Sequence, residues 1–144
     1  MLFRSLRGAK LTLKIEPSGL GFSSLVPDSR FAVYGLVGEQ AETWSEDTIL
    51  WENAGPLVEE TLSAATATRL AEFEIRKGSP NGLVETSSDA LVEFLHSRPG
   101  EVVSLLIVRE TGESDQQGLV HAFASKEHPT SPAPTLWLKT SGDQ

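Results

Sequence analysis

The segment Lys10–Glu16 reads Lys-Leu-Thr-Leu-Lys-Ile-Glu, in which polar and apolar side chains alternate without a break. Because successive side chains of a strand point to opposite faces of a sheet, this pattern predicts a half-buried β-strand. Leu11, Leu13 and Ile15 then face inward. The Pro-Ser-Gly sequence at 17–19 predicts the end of the strand. The first strand of the fold therefore has one apolar face and one largely charged face.

Further strands are predicted by short runs of β-branched, aromatic or alternating residues between turn signals. In one of them, Ala71, Phe73 and Ile75 alternate with charged residues. The run Glu101–Glu110 is mostly apolar, which is typical of a central strand covered on both faces. We expect Leu119–Ser125 to pair with that run as an antiparallel neighbour. The other strand segments are Phe31–Leu36, Arg69–Arg76, Leu83–Thr86 and Thr135–Lys139.

A single short helix is predicted near 88–97. The Ser-Ser-Asp sequence at 87–89 supplies good N-cap residues, and the apolar pattern that follows ends at Pro99 and Gly100. Six or seven strands with one short helix favour an all-β fold, namely an antiparallel, jelly-roll-like β-sandwich. We expect this sandwich to form a single domain over 8–140.

Composition excludes several classes of function. The chain has 144 residues, which fits one domain, and its lack of cysteine excludes disulfides, iron–sulfur ligation and thiol catalysis. The formal net charge of −8 disfavours non-specific binding to nucleic acid or to anionic membranes. No apolar run is long enough for a membrane span, so we expect no membrane insertion. Residues 1–7 lack the continuous apolar core of a signal peptide.

No catalytic or metal-binding motif stands out in the sequence. His96, His121 and His128 are scattered and have no ligand spacing. Glu46 and Asp47 are adjacent, so a strand would direct their carboxylates to opposite sides. Motifs of serine hydrolases, phosphate-binding loops and zinc peptidases are missing. We therefore expect a protein that is not an enzyme.

The candidate binding residues are an exposed aromatic ring and nearby basic side chains. Trp137 lies between Leu136 and Leu138, and it points outward if the leucines point inward. The converse orientation, with a buried indole, is equally compatible with the sequence. Lys10 and Lys14 share one face of the first strand, where they would attract an anionic ligand.

Tyr34 is a further candidate for ligand binding, because it is opposite in phase to Phe31 and Val33. Its hydroxyl would then point outward. The other two tryptophans, Trp44 and Trp51, stand within nine residues of a turn-forming Asn-Ala-Gly-Pro sequence at 53–56. We interpret them as a packed structural corner, since buried indoles contribute large apolar areas.

Four motifs, spread over 8–138, resemble those of a known family. They are Gly8-Ala9-Lys10-Leu11-Thr12-Leu13, Phe31-Ala32-Val33-Tyr34-Gly35-Leu36, Trp44-Ser45-Glu46 with Thr48-Ile49 and Trp51-Glu52-Asn53-Ala54, and Phe123-Ala124-Ser125-Lys126-Glu127 with Pro134-Thr135-Leu136. Together they are similar to the DNRLRE-type β-sandwich domain, also classed as carbohydrate-binding module family 96, of microbial surface proteins. Two departures are Leu50 in place of a polar residue and Gly55 between the alanine and the proline.

The resemblance implies a non-catalytic accessory or adhesion module that binds acidic polysaccharides at the cell surface or outside the cell. Trp137, Tyr34, Lys10 and Lys14 are the ligand-binding residues we expect. A calcium ion would reconcile the acid-rich loops with an anionic sugar, but no spacing assigns its ligands. The alternative function is a structural or protein-interaction sandwich without a sugar site.

The resemblance also implies that the first two or three strands of the family are missing from this chain. Residues 3–7 look like the tail of the segment that normally precedes the Gly-Ala entry. A sandwich without these strands would expose an unpaired sheet edge. We therefore expect a homodimer formed through that edge, or reduced stability.

Overall fold

The computed structural model describes residues 6–16, 28–37, 45, 47, 67–76, 82–98, 100–110 and 121–140. They form seven strands and one helix: β1 (Leu6–Glu16), β2 (Ser29–Leu36), β3 (Ala67–Ile75), β4 (Gly82–Thr86), α1 (Asp89–His96), β5 (Leu105–Arg109), β6 (Ala122–Phe123) and β7 (Thr135–Thr140). The predicted all-β class with one short helix is confirmed. The tryptophan segment 44–56 lies outside the described residues, apart from Ser45 and Asp47.

The strands form two antiparallel sheets. In sheet A, β1 is central, with β4 on one edge and both β6 and β7 on the other. In sheet B, β2 lies between β3 and β5. A shared apolar core joins the two sheets, so the architecture is a β-sandwich.

The core contains the side chains that the alternation of β1 predicted to face inward. Leu11, Leu13 and Ile15 are buried in one cluster with residues of sheet B. From sheet B, the rings of Phe31 and Phe73 stack with their centroids 5.1 Å apart. Phe123 of sheet A meets both rings edge to face, with centroid distances of 5.8 and 6.2 Å. This aromatic trio, Phe31, Phe73 and Phe123, therefore connects the two sheets.

The structure bears differently on the two predictions that concern β5. Among the described residues β5 has one neighbouring strand, β2, and its residues are half-buried, so its central position stays a prediction. It is apolar on both sides because Leu105 and Ile107 pack against the core, whereas Leu106 packs with Leu36 and Ala67 on the opposite face. The segment predicted to pair with β5 instead supplies β6, whose two residues pair with β1 in sheet A.

The helix α1 connects β4 of sheet A to β5 of sheet B and covers one end of the core. Ser88 is its N-cap, as its sequence predicted, and the hydroxyl oxygen accepts a hydrogen bond from the Leu91 amide at 3.0 Å. Leu91 and Phe94 are buried against Ala9 of sheet A and Leu70 of sheet B. The helix thus packs against both sheets.

Candidate binding face of sheet A

The outer face of sheet A brings together three of the four predicted binding residues. On β1, Lys10, Thr12 and Lys14 point away from the core, because they alternate with the buried leucines. Trp137 of β7 is the cross-strand partner of Lys10. On the other edge of β1, Glu85 of β4 faces Thr12. We call this surface, with Lys10, Thr12, Lys14, Leu83, Glu85 and Trp137, the outer face of sheet A.

Trp137 points outward, with 57% of its surface exposed. Of the two orientations compatible with the sequence, the outward one is correct. The neighbouring Leu136 is half-buried against the core, while Leu138, on the same side of β7 as Leu136, is also 57% exposed. Trp137 and Leu138 are therefore equally exposed apolar side chains on opposite sides of one strand.

A buried threonine fixes the direction of the Trp137 ring. Its Nε1–H donates to Thr12 Oγ1 at 3.1 Å, and the Thr12 hydroxyl donates in turn to the Thr135 carbonyl at 3.4 Å. Thr12 is only 5% exposed although it lies on the outer side of the sheet. The indole N–H is thus satisfied within the protein, which leaves the apolar part of the exposed ring for contact with a ligand.

Both lysines of the face already have acidic neighbours. Lys10 Nζ lies 3.4 Å from Glu85 Oε1 and 5.9 Å from the centroid of the Trp137 ring. Lys14 Nζ donates to the Ile15 carbonyl at 2.7 Å and lies 3.8 Å from Glu16 Oε1. The exposed Lys10–Glu85 pair contributes only about 0–1 kcal/mol, so a ligand carboxylate competes with Glu85 at little cost. The Lys14–Glu16 pair is more buried, with side chains 24 and 21% exposed.

Tyr34, the fourth predicted residue, belongs to a different surface. It lies on β2, where it pairs with Arg69 of β3 and with Leu106 of β5 on the outer side of sheet B. Since the two sheets face each other through the core, their outer sides point in opposite directions. Tyr34 and Trp137 therefore do not lie on one face, and ligand binding by Tyr34 stays a prediction.

An ion-pair network surrounds Tyr34. The two terminal nitrogens of the Arg69 guanidinium, Nη1 and Nη2, donate to the carboxylate of Glu110. Nη2 also donates to Glu72 Oε2 at 2.8 Å. Hydrogen bonding to Glu110, and less strongly to Tyr34 and Glu72, raises the pKa of Arg69. The hydrogen bond from Arg69 lowers the pKa of Glu110 in return. This network ties Arg69 of β3 to Glu110, the residue that follows β5.

Thr12, Leu83 and Glu85 were missed by the sequence analysis as members of the face. Thr12 could have been found from the sequence, because it lies midway between Lys10 and Lys14 and alternates with the leucines as they do. Glu85 and Leu83 become neighbours of β1 only through strand pairing. Among the described residues, no group of three or more histidine, aspartate and glutamate side chains is arranged to hold a metal ion.

His121 lies near the aromatic trio and not on the binding face. Both ring nitrogens are buried and have no hydrogen-bond partner, and the ring meets Phe31 edge to face at 6.2 Å. Burial, and secondly the positive charge of Arg109, lower the pKa of His121 from its ordinary value of 6.5. The folded protein therefore favours the neutral imidazole.

As the pH is lowered below about 6.5, the free energy of unfolding is accordingly expected to decrease, because the unfolded chain binds a proton that the folded protein resists. For one group the slope is at most about 1.4 kcal/mol per pH unit. His121→Phe should flatten this slope in urea unfolding measured between about pH 7.5 and pH 5.5. His96→Gln is the matched control, because it removes an exposed histidine at the end of α1. An unchanged slope in His121→Phe would contradict the assignment.

Comparisons of this chain with protein-family models, with curated proteins and with solved structures find no match. In the described part of the chain, no helix has the length and apolar character needed to cross a membrane. The β-sandwich class therefore follows from the two sheets themselves.

Proposed function

We propose that this protein is a non-catalytic carbohydrate-binding module that holds a polysaccharide on the outer face of sheet A. The observation that carries the proposal is the exposed Trp137 ring, oriented by Thr12 and flanked by Lys10. A sugar ring has an apolar C–H face that packs on an indole, and its hydroxyls need polar partners. The face supplies both kinds of group within one short stretch of sheet.

The charges of the face favour an acidic sugar only at short range. Lys10 and Lys14 offer ammonium groups to a carboxylate, whereas the net charge of −8 repels a polyanion at a distance. Contact with Trp137 is therefore expected to contribute more to the affinity than ionic attraction does. The similarity of the sequence motifs to a family of surface modules supports a location at the cell surface or outside the cell.

The second candidate function is a structural or protein-interaction sandwich without a sugar site. It is favoured by Leu83, which is 53% exposed on the same face as Trp137. Two exposed apolar side chains on one face also suit the apolar centre of a protein interface. A sugar-binding test separates the two functions.

Trp137→Ala is expected to reduce binding to alginate or a glycosaminoglycan about tenfold or more, since loss of an aromatic anchor costs over about 1.4 kcal/mol. Binding is measured by affinity electrophoresis in gels that contain each polymer, with neutral glucans in parallel. Leu138→Ala is the matched control, because it removes an equally exposed side chain from the opposite side of β7. Lys10→Gln should weaken binding to the acidic polymers alone.

Two outcomes would count against the sugar-binding proposal. If the folded protein binds none of the polymers, the protein-interaction alternative is preferred. If Leu138→Ala weakens binding as much as Trp137→Ala does, the ligand is not held on the outer face of sheet A.

A further inference from the structure

A cleft of about 530 Å³ lies where sheet B and sheet A face each other, between one edge of β3 and one edge of β4. Among the described residues no strand pairs with either of these edges, and we call them the free edges. Its volume is within the range of about 300–1,000 Å³ that is typical of ligand pockets. The cleft is separate from the Trp137 ring, although Leu83 and Glu85 border both. Neither the proposed sugar site nor the core packing accounts for it.

One end of the cleft is closed by side chains that join the two sheets. Thr86 Oγ1 donates to the carbonyl oxygen of Glu72 at 2.9 Å, and the Ser88 hydroxyl donates to the carbonyl oxygen of Leu70. These bonds satisfy backbone carbonyls on the edge of β3 that has no neighbouring strand in the described sheet. Beyond this closed end, the cleft is lined by residues 72–76 on the β3 side and by residues 82–85 on the β4 side.

The backbone N–H and C=O groups of Glu74 point toward the cleft. The Glu110 amide donates to the Arg30 carbonyl at 2.8 Å, so Arg30 directs its backbone groups toward the β5 side of β2. Arg30 and Glu74 are cross-strand partners and therefore form a pair without mutual backbone hydrogen bonds. Glu74 consequently presents its N–H and C=O at the free edge, as Glu72 does.

The lining of the cleft has an apolar floor and an acidic rim. The floor consists of core side chains, namely Ile15, Phe73, Ile75 and Val84. The rim carries three carboxylates, on Glu72, Glu74 and Glu85, and one guanidinium, on Arg76. The three carboxylate side chains are 60, 50 and 52% exposed, so their present ion pairs are weak and exchangeable.

We propose that the cleft binds an extended peptide of a partner protein, with alternating apolar and basic side chains, which adds as a strand along the free edge of β3. Backbone hydrogen bonds to Glu74 supply affinity, and the alternation matches the lining. The apolar side chains of the peptide contact Phe73 and Val84, whereas its basic side chains meet the acidic rim. A second copy of this chain is a poor occupant, because each copy carries a net charge of −8.

The probe is a capped, fluorescent peptide of alternating lysine and valine, about eight residues long to match an ordinary strand. Binding is measured by fluorescence anisotropy as a function of salt concentration. The protein with both Glu72→Gln and Glu74→Gln should bind about tenfold more weakly and with a smaller salt dependence. Glu93→Gln on the exposed side of α1 is the matched control for the loss of a carboxylate.

A backbone variant distinguishes strand addition from simple charge attraction. Glu74→Pro removes the N–H that points into the cleft, and proline is tolerated on an edge strand where the N–H has no strand partner. It should abolish peptide binding while the circular-dichroism spectrum stays that of a folded β protein. Glu74→Gln keeps the N–H and should retain weak binding. Trp137→Ala should leave peptide binding unchanged, which separates this proposal from the sugar site.

Three results would overturn the proposal. The first is a peptide with scrambled order that binds as tightly as the alternating one. The second is a folded Glu74→Pro variant that binds normally. The third is sedimentation that shows a dimer of the free protein which the Glu74→Pro substitution dissociates, since the second copy predicted from the sequence would then occupy the edge.

Discussion

Phe73→Ala is expected to lower the free energy of unfolding by about 3–5 kcal/mol, the largest effect of any substitution considered for this protein. Phe73 is buried, stacks on Phe31 within sheet B and meets Phe123 of sheet A. Removal of its ring leaves a cavity between the two sheets and deletes contacts on both sides. Because the loss affects the contact between sheets, it should also raise the rate of unfolding.

Urea unfolding followed by circular dichroism measures this loss. Phe73→Leu fills most of the volume and should retain a large part of the stability. Val102→Ala provides the control for an exposed apolar side chain, 74% accessible, and should change stability by less than about 0.5 kcal/mol. Equal losses in Phe73→Ala and Val102→Ala would mean that the aromatic trio does not hold the sheets together.

Gly35→Ala is expected to destabilise the protein by about 1–3 kcal/mol, because it overpacks the contact between β2 and α1. A Cβ atom at Gly35 would lie 2.4 Å from Cζ of Phe94 and 2.6 Å from Cε1. The Phe94 ring has little room to withdraw, because it is buried in a cluster with Leu70 and Leu91. The glycine is thus required by close approach of the ring and not by an unusual backbone angle.

A second substitution tests that reason directly. Phe94→Leu removes the clashing ring atoms. Gly35→Ala should therefore lower the free energy of unfolding by less in the Phe94→Leu background than in the wild type. The difference between the two costs is the coupling energy of the double-mutant cycle, measured by urea unfolding. Additive effects would show that the loss at Gly35 arises elsewhere, for example in the strand itself.

The sequence determined much of the fold because the decisive signals were local. The alternation in β1 predicted correctly that Leu11, Leu13 and Ile15 are buried, since a strand period of two needs no knowledge of neighbouring strands. The cap at Ser88 likewise predicted where α1 begins, because the bond to Leu91 spans only three residues. Lys10 and Lys14 share a face for the same local reason.

Only the tertiary structure decided which strands become neighbours. The apolar run of β5 did not reveal that β2 is its neighbour, nor did Phe123 reveal that it pairs with Ile15. Pairing also placed Tyr34 and Trp137 on different sheets, which the position of each residue in its own strand could not show. The physical reason is that periodicity fixes the face of a strand, whereas contacts between distant strands fix its place in a sheet. The cleft beside Glu74 depends on such contacts as well, because the local pattern did not show that the consecutive strands β3 and β4 belong to different sheets.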